Sequence, residues 1–352
     1  MAPCRFLNAL FMMVVGVADV IACTSAIVAP EATRSGNMLM WKHRDTSHTH
    51  NYVDTVNASS PDSYSYLALF NAEDSLKRGA WAGVNCTGFA IMNTVAGNLP
   101  ENGKECIDRE GFIMSDALLH CSSVADFEHL LDSLPKPLGS RANFGVIDSH
   151  GNAAYFETSD SGYAKYLMEP GGNGVMIRSN FAFSGADKGG YGYDRYKNAE
   201  KILERAAKDS SITPELFTEF ISRKYYNADT DRVLSPDNTK KVQVPDKGYI
   251  PRPTSASSVV VELTPTGPVM WVMLGYPPAA ETYGVTLDSV RPELSRNPLT
   301  GHSDECDNAL MRKKSMLENG NIIVSKACEI SSFLEQESLK NYESFRSAMQ
   351  QR

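Results

Sequence analysis

The sequence has no excess of positive charge. Its 352 residues include 34 Lys and Arg against 42 Asp and Glu, which gives a formal net charge of -8. Proteins that bind nucleic acid through phosphate contacts use clustered basic side chains to displace counterions. We therefore expect no general affinity for DNA or RNA.

The sequence also lacks internal repeats, low-complexity tracts and any apolar run as long as the roughly 20 residues that span a bilayer. No transmembrane segment is therefore expected in the mature chain. With 42% hydrophobic and 22% charged residues, the composition excludes a disordered chain, a collagen and a disulfide-stapled miniprotein. A chain of this length can bury a sizeable core in one large domain or two ordinary ones.

Cysteine is scarce, and its count is odd. The chain has 7 cysteines, at positions 4, 23, 86, 106, 121, 306 and 328. An odd number cannot form a complete set of intrachain disulfides, so at least one thiol is free, reactive or removed with a processed segment. Which of the others pair is not deducible from the sequence.

Residues 1–22 have the pattern of a secretory signal peptide. Arg5 supplies a short positive start, and residues 6–18 are uncharged and mostly apolar. That run is too short to span a membrane, and Ala22 is the small residue expected before a cleavage site. We therefore predict removal of residues 1–22 and export of the remaining chain. A buried first helix or strand is the alternative.

A cut after Ala22 would make Cys23 the first residue, and two mutually exclusive chemistries begin with such a cysteine. Residues 20–23 could be a lipoprotein signal, in which case Cys23 carries lipid on its sulfur and nitrogen. Alternatively, Cys23 is an N-terminal nucleophile whose own α-amine accepts the thiol proton, because an α-amino group titrates near pH ~8. Acylation of that amine would destroy the second mechanism.

Strand-like segments dominate the first half of the chain. Apolar runs bounded by turn signals predict strands at 24–29, 38–42, 80–84, 89–94, 143–148, 153–158, 257–264 and 269–274, with 162–168 as an extension. Apolar residues at helical spacing predict helices at 116–134, 193–207, 214–225 and through most of 303–350. Residues 227–255 are polar and predict a long surface excursion. This order favours one α+β domain whose sheets are covered by helices.

The second predicted strand ends in charged residues, Lys42-His43-Arg44-Asp45. An exposed Arg44-Asp45 pair at a strand end is most simply a salt bridge. If the strand that begins at Cys23 lies beside this one, however, Asp45 could lie close to the amine of Cys23. A carboxylate there would orient the amine, as the third member of a catalytic triad orients its base.

Cys23-Thr24-Ser25 at a processed N-terminus, followed by a strand, a glycine turn and an Arg/Asp-bearing strand, resembles the N-terminal-nucleophile (Ntn) hydrolases of the choloylglycine hydrolase and penicillin V acylase group. It is also similar to the related penicillin acyltransferase branch. Further segments continue the resemblance in the same order over most of residues 23–320. They are Gly83–Asn93 with its Asn-x-x-Gly turn and second Asn, Arg178–Phe181, Tyr193–Tyr196 and Cys306–Ala309.

The resemblance implies a four-layer αββα sandwich, in which two stacked, mainly antiparallel sheets lie between helix layers. It also implies catalytic roles: Cys23 as nucleophile, Asp45 orienting its amine, Asn180 supporting the amine end, Asn93 in the oxyanion hole and Arg195 stabilising charge near the nucleophile. These residue types suit the tasks, because amide hydrolysis needs a nucleophile, a proton acceptor and donors aimed at the developing oxyanion.

The chain departs from the family pattern at one position. The family commonly has an arginine about three residues before the aspartate, where this chain has Lys42. Lys42 and Arg44 are therefore both candidates for the supporting role, and the sequence leaves the choice open. Asn85 lies in a glycine turn and is assigned a structural role.

Other motifs are weaker. His48-Thr49-His50 could suggest a metal site, but it has no matching second pair of ligands, so a loop is predicted. Residues 171–174 form a glycine-rich turn without the strand and helix of a phosphate loop. Asn57 and Asn85 begin glycosylation sequons. No metal or organic cofactor is expected.

The predicted function is hydrolysis of a linear, non-peptide amide (N-acyl) bond in a small-molecule substrate, through a thioester on Cys23. An acyltransferase or a cysteine dipeptidase with the same nucleophile is the alternative among enzymes. A binding protein that is lipid-anchored through Cys23 is the alternative outside them. The predicted domain covers residues 23–352 with a helical tail from about 303, and the expected location is periplasmic, extracellular or lumenal. Whether identical subunits assemble is left open.

Overall fold

Antiparallel strand pairing organises the chain into two large sheets. The computed structural model describes residues 22–100, 108–186, 190–239 and 242–351. Apart from its last residue, Ala22, the predicted signal peptide lies outside the described residues, as does Cys106.

The first sheet contains the strand that begins the described chain. Its members are β1 (Ala22–Val28), β2 (Met38–Asp45), β10 (Val175–Arg178), β13 (Ser255–Thr264), β14 (Gly267–Leu274) and β15 (Tyr283–Val285). Their order across the sheet is β10-β1-β2-β13-β14-β15, and all neighbours are antiparallel. Strand β1 is therefore paired on both edges.

The second sheet is a seven-stranded meander in which each strand pairs with the next along the chain. Its members are β3 (Asn51–Val56), β4 (Tyr66–Asn71), β5 (Ala82–Asn85), β6 (Ala90–Val95), β7 (Ala142–Ile147), β8 (Ala153–Ser159) and β9 (Gly162–Leu167). Two small hairpins lie outside both sheets: β11 (Tyr226–Asn227) with β12 (Arg232–Val233), and β16 (Leu317–Glu318) with β17 (Asn321–Ile322).

The helices lie between and after the strands. They are α1 (Glu110–His120), α2 (Val124–Ser133), α3 (Tyr193–Ala207), α4 (Asp304–Ser315) and α5 (Val324–Gln350). Among the described residues, no helix combines the length and the apolar character needed to cross a membrane.

Side chains alternate between the two faces of a strand, and the resulting cores define four layers. One core lies between the sheets and includes Met40 of β2 and Met92 of β6. A second core packs the outer face of the meander against α1 and α2, with Phe127 as a central member. A third packs the outer face of the first sheet against α3 and α5. The predicted αββα sandwich is thus confirmed.

One predicted helix is wrong, because residues 116–134 form parts of two helices. Cys121 is extended at φ -97° and ψ 141°, which ends α1. The Ser123 side chain then accepts a hydrogen bond from Asp126 N at 3.1 Å and caps α2. The apolar spacing continues across the break and hides it, although Ser-x-x-Asp is itself a helix start signal.

The remaining predictions differ mainly in extent. Helix α3 has the predicted bounds. The helix predicted at 214–225 is reduced to a π-helical turn, Leu216–Ile221, and the tail is two helices joined by the β16–β17 hairpin. Strands β3, β4, β10 and β15 were not predicted. The partner of β10, β1, is distant in sequence, and β15 has only three residues.

Gly83 of β5 packs closely against β4 and α1. A Cβ added there would lie 2.7 Å from Leu67 O and 2.8 Å from both Ala68 Cβ and Leu118 Cδ1. We predict that Gly83→Ala lowers the free energy of unfolding by about 1–3 kcal/mol, because the backbone and the helix must separate. Gly162→Ala is the control, since nothing lies within 4 Å of a Cβ at that position. Urea unfolding measures both, and an equal effect of the two substitutions would contradict the prediction.

Candidate active site

Strand register decides which side chains share a face with Cys23. In the β1–β2 pairing, Cys23 lies opposite Arg44, and Ser25 lies opposite Lys42. Residues directly opposite one another point to the same face of an antiparallel pair. Cys23 is 3% exposed, and its thiol therefore shares the face between the sheets with Lys42 and Arg44. Asp45 belongs to the outer face.

Two polar side chains hold the backbone nitrogen and carbonyl of Cys23. Asn180 Oδ1 accepts a hydrogen bond from Cys23 N at 2.8 Å. Arg195 Nη1 donates to Cys23 O at 2.5 Å, and Arg195 Nη2 donates to the same Asn180 Oδ1 at 2.7 Å. The Cys23 nitrogen is a peptide N–H in the full chain, and it would become the α-amine in a chain cut after Ala22.

The position of Arg195 depends on the turn that precedes α3. Gly192 has φ +89°, a conformation that favours glycine, and a Cβ there would collide with Arg195 Nη2 and Ser179 Oγ. Ser179 Oγ donates to Cys23 O at 3.0 Å, so this carbonyl accepts from two side chains. Burial lowers the pKa of Arg195 from its ordinary value, and Arg195 Nη1 also donates to Thr24 Oγ1 at 2.8 Å.

Asp45 lies at the end of β2, opposite Ala22. Its Oδ1 accepts a hydrogen bond from Ser255 Oγ at 2.6 Å. Its Oδ2 is buried without a hydrogen-bond partner among the described residues and lies 3.9 Å from Arg252 Nε. Burial raises the pKa of Asp45 to about 6, although the charges of Arg195 and Arg252 oppose that shift.

Asp45 makes no hydrogen bond to Cys23 among the described contacts, so its predicted role in orienting the amine stays a prediction. The neighbouring His43 lies within 2.8 Å of the same Ser255 Oγ. Burial, with Arg195 adding to it, lowers the pKa of His43 to about 3, which leaves the ring neutral at physiological pH. Its 3.6 Å approach to Asp45 Oδ1 is therefore not an ion pair.

A continuous buried chain of hydrogen bonds begins at Lys42 on the inner face of β2 and runs through Asn93 of β6 to Glu110 at the start of α1. Lys42 Nζ donates to Trp81 O at 2.7 Å and to Asn93 Oδ1 at 2.5 Å. Asn93 Nδ2 in turn donates to Glu110 Oε2 at 2.5 Å. Both ends of the Asn93 amide are thus fixed, and one of its two N–H groups stays available for another acceptor.

The two charged members of this chain titrate close to neutral pH. Burial lowers the pKa of Lys42 to about 8, although negative charge on Cys23 and Glu110 would oppose the shift. Burial and the neighbouring Asp108 raise the pKa of Glu110 to about 7, against hydrogen bonds from Arg141 N and Asn93. The charge state around Asn93 is therefore sensitive to pH near neutrality.

The geometry separates the roles of Lys42 and Arg44. Lys42 contacts Asn93, the residue predicted for the oxyanion hole. Arg44 lies across from Cys23, and its guanidinium stacks 4.6 Å from the centre of the Trp81 ring. Arg44 Nη1 is buried without a hydrogen-bond partner among the described residues, so it could bind an anionic or carbonyl group of a ligand.

The structure brings the predicted residues together in two groups. Asn180 and Arg195 bond to the Cys23 backbone, and Asn93 lies with Lys42 on the face of the thiol. Asn85, as expected, has a structural place: its amide donates to Leu118 O and Cys121 O.

Sequence reasoning missed Ser179, Ser255 and Glu110. Their contacts with the site residues join parts of the chain that are distant in sequence. Ser255 and Asp45, for example, are hydrogen-bonded across a separation of 210 residues. Ser179 alone had a signal, because it adjoins Asn180 in a segment already recognised.

Five described cysteines are unpaired thiols. Cys86 is exposed, Cys328 is half-buried, and Cys23, Cys121 and Cys306 are buried. Cys23 shares its face of the β1–β2 pair with the cationic side chains of Lys42 and Arg44. Burial raises the pKa of Cys121 and Cys306 to about 12, as expected of thiols in apolar surroundings.

No protein-family model matches this chain, and no curated protein matches it either. Solved structures with similarity include a single-residue variant of conjugated bile acid hydrolase from Clostridium perfringens, at TM-score 0.45 and 11% identity, covering 79% of this chain and 100% of that one.

Two further similar structures are enzymes from other organisms. The Caenorhabditis elegans ortholog of N-acylethanolamine-hydrolyzing acid amidase has TM-score 0.40 and 12% identity, covering 68% of this chain and 92% of that one. Penicillin V acylase from Agrobacterium tumefaciens has TM-score 0.43 and 12% identity, covering 78% and 88%. At these scores the likeness carries no inference about activity, which must come from the geometry around Cys23.

The raised pKa of Glu110 predicts a pH dependence of stability. A carboxyl whose pKa rises on folding stabilises the protein fully below its unfolded value of about 4.5, and that stabilisation is lost as the pH rises through about 7. Between pH 5 and 7.5 we expect the wild type to lose on the order of 2 kcal/mol more unfolding free energy than Glu110→Gln, which cannot ionise. Urea titrations of both proteins measure this difference, and parallel pH profiles would contradict it.

Proposed function

We propose that the chain loses residues 1–22 and then hydrolyses a linear, non-peptide amide bond with Cys23 as an N-terminal nucleophile. One observation carries the proposal: Asn180 binds the Cys23 nitrogen, while Arg195 and Ser179 bind its carbonyl. This arrangement fixes the first residue of the mature chain on both sides of its Cα. An amine that serves as the base for its own side chain needs such a fixed orientation.

In the proposed first step, the α-amine of Cys23 accepts the thiol proton, and the sulfur attacks the carbonyl carbon of an N-acyl substrate. Asn180 Oδ1 accepts a hydrogen bond from one N–H of the amine. This bond directs the lone pair of the nitrogen away from Asn180. The C–N bond of the tetrahedral intermediate then breaks, and the departing amine takes the proton from the ammonium of Cys23. The α-amine of Cys23 then takes a proton from water as the water oxygen attacks the thioester carbonyl. The C–S bond breaks, the Cys23 sulfur regains the proton from the α-ammonium, and the acid is released.

Asn93 supports the tetrahedral intermediate in this mechanism. Its remaining N–H can donate to the developing oxyanion, and Lys42 and Glu110 prevent the amide from rotating. Donors that are already oriented cost no reorganisation during the reaction, and removing one typically lowers the rate by about 10²–10³-fold.

Asp45 is proposed to bind the ammonium form of the Cys23 amine. Its Oδ2, which has no hydrogen-bond partner among the described residues, lies at the strand position opposite Ala22, the residue that processing would remove. A new positive charge there would compensate the buried carboxylate. The same removal leaves residues 23–352 as the proposed mature domain of an exported protein.

The burial of Cys23 favours the nucleophile over the lipid anchor. The residue is 3% exposed and lies in a strand that is paired on both edges. A cysteine that carries two or three acyl chains must extend towards a membrane, and this one would have to leave the sheet to do so. Hydrolysis, acyl transfer and dipeptide cleavage would share the Cys23 chemistry and differ in the acceptor or substrate.

Substitution of Cys23 tests the nucleophile. We expect Cys23→Ala to lower hydrolysis of a responsive substrate at least about 10³-fold, because no thioester can form, while Cys86→Ala, which removes an exposed thiol, keeps full activity. Liquid chromatography would follow product formation from N-acyl amino acids, bile-salt conjugates, penicillins and dipeptides.

The mature N-terminus provides the second readout for the same proposal. Intact-mass analysis should show an unmodified Cys23 as the first residue, and treatment with a substrate should add the acyl mass to that residue. Diacylglyceryl on Cys23, or full activity in Cys23→Ala, would overturn the proposal.

The role of Asn93 can be separated from thiol reactivity with two reagents. Acylation of Cys23 by a p-nitrophenyl ester passes through an oxyanion, whereas alkylation by iodoacetamide does not. We expect Asn93→Ala to slow acylation about 10²–10³-fold and to leave alkylation within about threefold of wild type. Asn57→Ala, at an exposed position, should change neither rate. An equal fall in both rates would assign Asn93 to the thiol rather than to the oxyanion.

A further inference from the structure

Three metal-binding side chains from separate parts of the sequence converge beside α4. They are His50, which precedes β3, His302, which precedes α4, and Asp307 in the first turns of α4. Asp307 Oδ1 lies 3.5 Å from His50 Nε2 and 3.5 Å from His302 Nδ1. One donor atom from each residue lies within 4.8 Å of the other two.

These separations suit a single bound ion. Zinc binds imidazole nitrogen and carboxylate oxygen at about 2.0–2.2 Å, which places tetrahedral ligands about 3.4 Å from one another. The two nitrogen–oxygen distances of 3.5 Å are close to that spacing without rearrangement. The two histidine rings are stacked, with centroids 4.2 Å apart, and both approach the same oxygen of Asp307.

The three side chains stand on ordered backbone. His302 N donates to Thr300 Oγ1 at 3.2 Å, and its carbonyl accepts from Asn297 N at 2.8 Å. Asp307 N donates to Ser303 O within the capped start of α4.

The segment that carries His50 is tied to the same helix. Asn51 N lies 3.4 Å from Cys306 Sγ, and that sulfur lies 3.5 Å from Thr49 O. His50 Nδ1 lies 3.4 Å from Thr49 Oγ1, a contact that leaves Nε2 directed towards Asp307. An outer partner on the second ring nitrogen is the usual companion of a histidine that binds metal.

The Asp307 carboxylate has no lysine or arginine as an ion-pair partner among the described residues. In that described part of the chain, its only ion-pair partners are the two histidines. Each of the three side chains is about one-third exposed, so an ion could enter. His48, the other histidine of the His-Thr-His motif, instead approaches Glu73 at 3.6 Å and stays outside the cluster.

We propose that His50, His302 and Asp307 form a binding site for one divalent transition-metal ion, with zinc the best match. Two imidazoles favour zinc, cobalt or nickel over calcium or magnesium, which take oxygen ligands. The ion would connect the loop that follows β2 to α4, and water would complete its coordination. The site is independent of the chemistry proposed for Cys23. It also supplies the ligands that the His-Thr-His motif lacked in the sequence, from which no metal was expected.

Isothermal titration of the full chain with zinc chloride tests the site. The protein used carries no histidine tag, because a tag would bind zinc itself. Thiols are blocked with iodoacetamide beforehand, because exposed cysteines such as Cys86 can also bind zinc. We expect one ion per chain with a Kd of about 10 µM or tighter. His302→Ala and Asp307→Asn should each weaken binding at least about 30-fold, because each removes one of three protein ligands. His48→Ala is the matched control and should bind within about twofold of wild type.

Thermal unfolding provides a readout that does not depend on the titration. Saturating zinc should raise the Tm of the wild type and of His48→Ala by about 2–4 °C, with no such rise in His302→Ala. Without zinc, the Tm of His302→Ala should match that of the wild type, because the side chain is 40% exposed. The proposal is overturned if the wild type binds no zinc, if His302→Ala binds as tightly as wild type, or if His48→Ala loses as much affinity as His302→Ala.

Discussion

The register between β1 and β2 is the constraint on which the rest of the site depends. With Cys23 opposite Arg44, the thiol faces the space between the sheets, and Asp45 faces the helix layer. A shift of one residue would exchange these faces and separate Cys23 from Lys42 and the Asn93 chain. The register is itself fixed by burial, because alternate residues of both strands belong to different cores.

The site concentrates ionisable groups where a sheet ordinarily places apolar ones. Lys42, Arg44, Asp45, Glu110 and Arg195 are each at most 5% exposed. Burying a charge costs free energy that a well-packed apolar pair would not cost, and hydrogen bonds only partly offset it. The arrangement therefore gives up stability, and the raised pKa values of Asp45 and Glu110 are the measurable sign of that cost. Such concentrations of perturbed pKa values are typical of functional sites.

Much of the fold could be predicted because its signals are local. The strands around Cys23 and residues 257–274 have apolar runs with turn signals at their ends, and α3 has a clear helical period, so all were located within a few residues. The site was predictable only where a residue lay in a recognisable segment, as Asn180 did. Glu110 and Ser255 were not, since their importance comes from which strands and helices become neighbours in the fold. The helix break at Cys121 was missed because apolar spacing outweighed the capping signal of Ser123.

The position of Ala22 connects folding with the proposed maturation. Ala22 is fully buried as the first residue of β1, and its partner across the sheet is Asp45. Removal of Ala22 would delete its pair with Asp45, while Cys23–Val28 would keep their partners on β2 and Ser25–Val28 would keep theirs on β10. The bonds from Asn180 and Arg195 to Cys23 involve none of the removed residues. The new amine would therefore arise inside a site whose donors and acceptors are already in place, and preorganisation of this kind is what makes an electrostatic contribution to catalysis large.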